Sequence, residues 1–491
     1  MKQGIKKTFR TVLCALCCAL MCFSAVACNS NVFRFDEEEL DKVMNEVLNT
    51  VDFTADESYA GTLRIVTNQE PDQITIMNAL LGGFKKKYPS ITVDYKNYPS
   101  AGYKDTLTNM NSACTLNGKY DTFPDVFWAS NTDVTEYQSL DMLMPVDYFD
   151  GRDESFDFAD LVKIMVDDCK VGEHVYLMPR DSDRMVMYYN KDFLAKAGVS
   201  EEELHPDRAL TKSEFLALME KCKNVKNDDG KDVSALDAFW NWESLLWPLL
   251  HAYGGAVVKE ENGVTTSALN SPETLETYKF IKELNNKGYM TEGGTGNYWR
   301  FKNKLSVFLF GVRATLTDLA ANVSNIGVVP MPNLHDDESR YFVGTGCSGY
   351  AMYRHAANPT AAWLFQKYVA SEEGQNAISA TGNNIPVLKK LFDDENAVWR
   401  NVTVNGDASF NHDAYIYEYD TASLTAQTGY RELIKPITAI KEVSKAFEDS
   451  IKYVLQNTTS SDYLDEKNGI PKFLRSYHRD INNAIKIASG N

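Results

Sequence analysis

From residue 61 onward, short β-branched runs alternate with longer amphipathic stretches, and this alternation most constrains the fold. Thr62-Leu63-Arg64-Ile65-Val66 reads as a strand. Residues 74–88 put Met77, Leu80, Leu81 and Phe84 on one helical face, and Pro89 stops that helix. Ile91-Thr92-Val93-Asp94-Tyr95 and Asp125-Val126-Phe127-Trp128 are further strands, with another over residues 175–178. Beyond residue 211 the rhythm resumes. Thr211 and Glu214 form a capping box for a helix over 211–224, and Pro272 opens one over 271–287. Residues 305–310 form a strand and residues 359–369 a helix. Two α/β lobes, each a sheet with helices on its faces, are the natural parse.

A chain of 491 residues holds two such lobes, and its formal charge of −18 excludes a nucleic-acid partner, because nothing basic would neutralise a phosphate backbone. The N-terminus reads as an address. Lys2, Lys6, Lys7 and Arg10 precede an uncharged apolar run over residues 11–27, too short and one-sided for a membrane span. It ends Ala25-Val26-Ala27-Cys28, which resembles the lipobox of lipoprotein processing. Residues 1–27 are therefore expected to be a signal peptide and Cys28 the lipidated residue, with plain cleavage after Ala27 as the alternative. Residues 28–59 then form a lipid-anchored tether, acidic at Asp36-Glu37-Glu38-Glu39. Leu40, Val43, Val47 and Leu48 recur there at helical spacing, so an amphipathic helix and a solvated linker both fit. Cys114, Cys169, Cys222 and Cys347 lie far apart without CxxC pairing. Metal-site spacing and a dense disulfide scaffold are excluded, while one bridge or four buried thiols remain open.

Several short motifs follow one another in a set order. They are Phe84-Lys85-Lys86-Lys87-Tyr88-Pro89-Ser90-Ile91-Thr92-Val93, Pro124-Asp125-Val126-Phe127-Trp128, Tyr176-Leu177-Met178-Pro179 and Met187-Tyr188-Tyr189-Asn190-Lys191-Asp192. Trp247-Pro248-Leu249-Leu250 with Gly254-Gly255, Ile326-Gly327-Val328-Val329-Pro330, and Phe342-Val343-Gly344 leading to Ala361-Ala362-Trp363 complete the set. Together, over about residues 61–390, they resemble the extracellular solute-binding proteins of ABC importers, in the maltose-binding-like carbohydrate branch. The resemblance implies an α/β, two-lobed, periplasmic-binding-protein-like clamshell with hinge strands and a ligand buried between the lobes. Lobe one would comprise 60–180 plus 334–382 and lobe two 181–333 plus 383–491. The chain would cross near 179–183, 329–333 and 381–387.

The resemblance also implies a site. Asn68 and Glu70 follow the first strand, where the family places polar groups for sugar hydroxyls. Trp128 and Asn131 stand where maltose-type proteins have a ligand-contacting Trp and a carboxylate, here replaced by an amide. Asp183 falls at the place of a hinge carboxylate. Sugars offer apolar C–H faces to aromatic rings and hydroxyl rims to paired donors and acceptors. Trp240 and Trp242, in the loop-like Phe239-Trp240-Asn241-Trp242, read as stacking rings; Trp247 reads as core and Trp299 as either. After Phe310-Gly311 the maltose-binding pattern has a stacking Trp, whereas this chain has Arg313. A guanidinium can stack or fork onto a carboxylate, so with Arg180 and Arg184 beside the hinge an acidic sugar stays open.

Other chemistry finds little support. Gly344-Thr345-Gly346-Cys347-Ser348-Gly349 matches G-x-G-x-x-G, but strand-like Tyr350-Ala351-Met352-Tyr353 follows where a dinucleotide site needs a helix. The segment reads instead as a flexible loop lining the ligand, Gly346 included. Asn227-Asp228-Asp229-Gly230-Lys231-Asp232 lacks the alternating ligands of a calcium loop and reads as a turn. No H-E-x-x-H or G-x-S-x-G occurs, and no carboxylate pair stands out as a glycosidase dyad. No nucleophile, metal or cofactor is assigned, and a binding protein rather than an enzyme is expected. The leading expectation is a monomer, lipid-anchored to the outer face of the cytoplasmic membrane of a Gram-positive cell, that captures an oligosaccharide and delivers it to an ABC transporter permease. Its rivals are a binder of a non-sugar solute (peptide or polyamine) on the same fold, and a secreted glycoside hydrolase.

Overall fold

The structure, a computed structural model, describes residues 37–291, 298–435, 437–459 and 461–490. The leader and Cys28 lie outside the described residues. The strands used below are β1 Gly61–Asn68, β2 Ile91–Tyr98, β3 Val126–Ser130, β4 Met178–Arg184, β5 Val186–Asn190, β6 Ser234–Asp237, β7 Ser306–Gly311, β8 Ile326–Pro330, β9 Val343–Met352 and β10 Ile385–Pro386. The helices used below are α1 Glu37–Leu48, α2 Pro71–Lys87, α3 Lys212–Cys222, α4 Glu243–Ala252, α5 Pro272–Asn286, α6 Pro359–Ala370, α7 Ile440–Asn457 and α8 Ile470–Ala488.

Lobe one is built on a sheet ordered β10-β4-β9-β3-β1-β2. β1 runs parallel to β2 and β3, as helical crossovers require, and β9 runs antiparallel between β3 and β4. Lobe two carries the sheet β8-β5-β7-β6. β5 is buried along its whole length. Its side chains alternate between two cores, with Val186 and Tyr188 on one side and Met187 and Tyr189 on the other. Helix ends follow local chemistry. Pro71 opens α2 and Lys85, Lys86 and Lys87 sit at its negative end. At α3, Thr211 accepts from the Glu214 amide at 3.3 Å, and Glu214 accepts from the Thr211 amide at 2.8 Å. The expected capping box is present.

Three passages join the lobes. β4 runs into β5 with Met185 alone between them. The second passage comes later than the expected 329–333, because residues 331–342 remain bonded within lobe two. The Asn333 amide donates to the Leu210 carbonyl at 2.8 Å, and the Tyr341 hydroxyl to the Met331 carbonyl at 2.9 Å. The crossing is made by the start of β9, whose Val343 packs in the lobe-two core and whose Cys347 packs in the other core. The third is β10, paired with β4 at Ser182 and Asp181.

Two further expectations change. Residues 344–349 are not a flexible loop but the middle of β9, which threads between the lobes. A Cβ on Gly344 would lie 1.6 Å from the Ser244 carbonyl oxygen, and one on Gly349 2.0 Å from that of Met178, so glycine is needed for close approach. The tether helix is real but docked: Leu40, Met44 and Leu48 of α1 are buried in the lobe-one core, and Tyr148 donates to Asp41 at 2.6 Å. Among the described residues no helix is long and apolar enough to cross a membrane.

Candidate functional site

A cleft of about 250 Å³ opens between the lobes, lined from both sides. It sits at the carboxyl ends of β1 and β3, where open α/β sheets commonly bind ligands. Lobe one supplies Asp72, Gln73, Trp128, Ser130, Asn131, Thr132, Arg180 and Asp181, and lobe two supplies Trp242, Glu243, Ser244, Val312 and Ala314. Asp183, Gly346 and Ser348, on the crossing strands, form its floor.

Each wall is positioned by identifiable bonds. Trp128 is the middle residue of β3, and its carbonyl accepts from the Tyr103 hydroxyl at 3.0 Å, with the two rings tilted at a 6.0 Å centroid distance. Among the described residues the Trp128 indole N–H has no hydrogen-bond partner. Across the cleft Trp242 is the residue before α4, with extended backbone, and its amide donates to the Phe239 carbonyl at 3.0 Å. That turn swings the ring out of the helix and leaves it half-buried.

On the lobe-one wall, Arg180 is fully buried. It donates through Nε to Asp181 at 2.8 Å, through Nη1 to Gln73 at 2.5 Å and through Nη2 to Ser348 at 2.9 Å. Asn131 donates to Asp168 at 2.8 Å. The amide standing where the family has an acid is thus committed to a second, deeper carboxylate. Burial pushes the Asp168 carboxyl up to about 7, against the pull of the Thr425 and Asn131 hydrogen bonds. Asp183 accepts from the Ala314 amide at 3.0 Å, tying the first crossing to lobe two. Burial, reinforced by Asp181, raises Asp183 to about 7. Glu448 of α7 also lines the cleft and is raised to about 7 by burial and by Glu243. Arg431 links the lobes, donating to Glu243 at 2.6 Å and to the Thr132 carbonyl at 2.8 Å.

Of the residues singled out in the sequence, the structure brings together Trp128, Asn131, Asp183, Trp242 and Gly346. It does not place the others in the cleft. Asn68 is buried and caps the turn into α2, accepting from the Glu70 amide at 3.2 Å, while Glu70 is exposed. The wall at that point comes from the next turn, Asp72 and Gln73. Trp240 is wholly buried in the lobe-two core, donating to the Met290 sulfur at 3.1 Å and packing edge-on to Phe310, so it has no face to offer a ligand. Trp299 is half-exposed on a short helix outside the cleft.

Arg313 is fully buried as well, because the residues flanking it, Val312 and Ala314, take the cleft-facing positions. It donates to the Trp399 carbonyl at 2.8 Å and to His412 Nδ1 at 2.9 Å, beneath the rings of Trp399 and Tyr415. His412 is lowered to about 4 by burial and by Arg313, so it stays neutral and donates from Nε2 to Val402. Arg184 is buried against Tyr419. Only Arg180 of the three arginines lines the cleft, and it is paired; the case for an acidic sugar loses its basis. Asp72, Gln73, Ser348, Glu243 and Glu448 were missed. Among these, only Asp72 and Gln73, in the first turn after β1, carried a positional signal.

A family model described as bacterial extracellular solute-binding protein matches residues 79–405. The chain is 27% identical over 183 residues to a lactose-binding protein of Rhizobium radiobacter, covering 37% of this chain and 40% of that one. It is 25% identical over 283 residues to the maltodextrin-binding protein MdxE of Bacillus subtilis (strain 168), covering 56% of this chain and 63% of that one. The match thus spans less than two thirds of the length of either relative. An ABC substrate-binding protein from Listeria monocytogenes in complex with cycloalternan superposes with a TM-score of 0.66 at 17% identity, covering 87% of this chain and 100% of that one.

Proposed function

The chain belongs to the bacterial extracellular solute-binding proteins, and from that premise we propose that it captures an oligosaccharide between Trp128 and Trp242 and delivers it to the permease of an ABC importer. The observation that carries this reading is the pair of half-buried tryptophans facing one cleft from opposite lobes, with amide, hydroxyl and carboxylate groups around them. Rings on both walls suit the two apolar faces of a pyranose, and the rim groups suit its hydroxyls. The names of the relatives, lactose- and maltodextrin-binding, support the sugar class. At about 250 Å³ the cleft lies just below the range of about 300–1,000 Å³ usual for small-molecule sites, which favours a short saccharide or the end of a longer one. Closure of the lobes about the three crossings would bury both rings at once, and a permease that accepts only the closed form would tell loaded from empty protein.

The signal peptide and the lipid at Cys28 complete the proposal, holding the protein at the cell surface. Cys28→Ala should then move it from the membrane fraction to the medium. A second reading, a cationic solute, is favoured by the carboxylates of Asp72, Asp181, Asp183, Glu243 and Glu448, which share the cleft with one arginine. A thermal-shift panel of neutral di- to tetrasaccharides and polyamines separates the two, since a ligand that binds only the native state raises its melting temperature. Saccharide-specific stabilisation supports the first reading; polyamine stabilisation alone replaces it with the second.

A further inference from the structure

The glycine-rich stretch of β9 contains a feature that ligand capture does not use. Cys347 Sγ lies 3.3 Å from Cys169 Sγ, both side chains buried, although the residues are 178 apart in sequence. The other two described cysteines are placed differently. Cys114 faces the Thr122 hydroxyl at 3.2 Å, and Cys222 is buried in the lobe-two core. We propose that Cys169 and Cys347 are joined by a disulfide in the exported protein, a covalent staple beneath the floor of the cleft.

Three observations carry the assignment. A disulfide needs its sulfurs at about 2.05 Å, so the pair must close by on the order of 1 Å, within reach of small side-chain adjustments. The family's extracellular setting is one in which such bonds form and persist. The surroundings give the thiols no role beyond a long contact from Cys347 Sγ to the Met165 carbonyl at 3.7 Å. Among the described residues no cation is one of the groups acting on them most strongly, burial raises Cys169, and Cys347 is raised by Cys169 itself, so in the folded protein neither is poised as a nucleophile or metal ligand. The chemistry is exchange with a disulfide donor such as oxidised glutathione. The Cys347 thiolate attacks one glutathione sulfur and expels glutathione thiolate. The Cys169 thiolate then attacks Cys347 Sγ and expels the second. The two thiol protons pass to the two glutathiones, leaving one new S–S bond and two reduced glutathiones. The exchange takes place during folding, before burial raises the two thiols, so the order of attack can equally be reversed.

The staple would join two parts of the site. Cys169 follows Asp168, which holds Asn131. Cys347 lies between Gly346 and Ser348 on the crossing strand β9 and pairs in register with Ser182 of β4. Oxidation would make the lobe-one wall and the β9 crossing one rigid unit, and closing so long a loop would restrict the unfolded chain.

The test is to unfold and refold the full chain in a buffer of reduced and oxidised glutathione, so that every thiol has access. Blocking with N-ethylmaleimide under denaturing conditions and peptide mass mapping then reads the pairing. The expected product is a peptide pair linked through Cys169 and Cys347, two hydrogens lighter than the free peptides, with Cys114 and Cys222 carrying maleimide. The linked pair should be absent from Cys169→Ser and from Cys347→Ser, and reduction should lower the melting temperature of the parent by a few degrees while leaving both variants unmoved. Maleimide on both Cys169 and Cys347 of the refolded parent overturns the proposal. So does a glutathione adduct on Cys347 in place of the link, or linkage to Cys114 or Cys222 at comparable yield.

Discussion

Trp240 and Trp242 are two residues apart and serve different regions. The first closes the lobe-two core against Phe310 and Met290; the second stands at the mouth of α4 and faces the cleft. Arg313 and Arg180 repeat the contrast. Both are fully buried, but Arg180 is spent on cleft-lining Gln73, Asp181 and Ser348, whereas Arg313 is held by a carbonyl, a neutral imidazole and two rings. Residue type alone does not separate core from site. What separates them is where the backbone turns: extended backbone before a helix throws Trp242 outward, and the 3-10 turn 313–315 that follows β7 sends Arg313 inward while Val312 and Ala314 line the cleft.

The sharpest way to break this contrast is Trp240→Ala. Truncating a buried tryptophan costs about 3–5 kcal/mol, so chemical denaturation should show a large fall in stability, with saccharide affinity of the remaining folded protein retained. An affinity loss without destabilisation would move Trp240 into the site and erase the distinction.

Trp242→Ala and Trp128→Ala should behave in the opposite way. Loss of a binding anchor costs about 2 kcal/mol or more, roughly thirtyfold in affinity at about 1.4 kcal/mol per decade. Melting temperature should change far less than in Trp240→Ala. Titration calorimetry on the glycan that stabilises the parent reads the first quantity and a thermal melt the second. If both variants melt early yet bind normally, the two rings are packing residues and the cleft lies elsewhere.

Much of the fold is legible in the sequence because its signals are local. The capping box at Thr211 and Glu214, Pro272 at the start of α5 and the β-branched runs of β1 and β2 each specify an element without long-range help. The site is legible only in part. Trp128 and Asn131 could be found because one lies in and the other directly follows a recognisable strand, whereas Glu448 reaches the cleft from α7, far along the chain, by packing that no local pattern encodes. The segment 344–349 reads as a loop in the sequence, and is a strand, for a physical reason. Its glycines are compatible with a loop, and only the Ser244 and Met178 carbonyls pressed against them explain glycine within a strand.

A smaller effect sharpens the comparison within the cleft itself. Burial holds the Asp183 carboxyl near pH 7 in the folded protein, against an ordinary value of 3.8, with Asp181 and Asp72 opposing ionisation and the Ala314 amide and Arg180 favouring it. Between those values the unfolded chain has lost this proton and the folded chain keeps it, so the group makes stability fall as pH rises from about 4 to about 7. Asp183→Asn keeps an acceptor for the Ala314 amide and removes the titration. The variant should match the parent near pH 4 and gain melting temperature relative to it as pH approaches 7. The variant's slope should be flatter than the parent's only in part, since Asp168 and Glu448 are raised into the same range. A parallel pair of pH profiles would mean that Asp183 is ionised throughout and the cleft floor is wetter than its packing implies.

The smallest effect belongs to Trp299. Its ring is 51% exposed, it begins a helix of four residues, and it lies outside the cleft, whereas the sequence left it open between core and stacking ring. Half of its surface already meets water, so Trp299→Ala forfeits much less burial than Trp240→Ala, and a cost of about 1 kcal/mol is expected, typical of a point substitution. Because the substituted position is remote from both cleft walls, its effect on affinity should add independently to that of Trp242→Ala and be close to nothing. Calorimetry on Trp299→Ala, and on the double variant with Trp242→Ala, measures this directly. A thirtyfold loss in the single variant, or a double variant weaker than the product of the two, would mean that lobe closure carries Trp299 onto the ligand. The site would then need three rings rather than two.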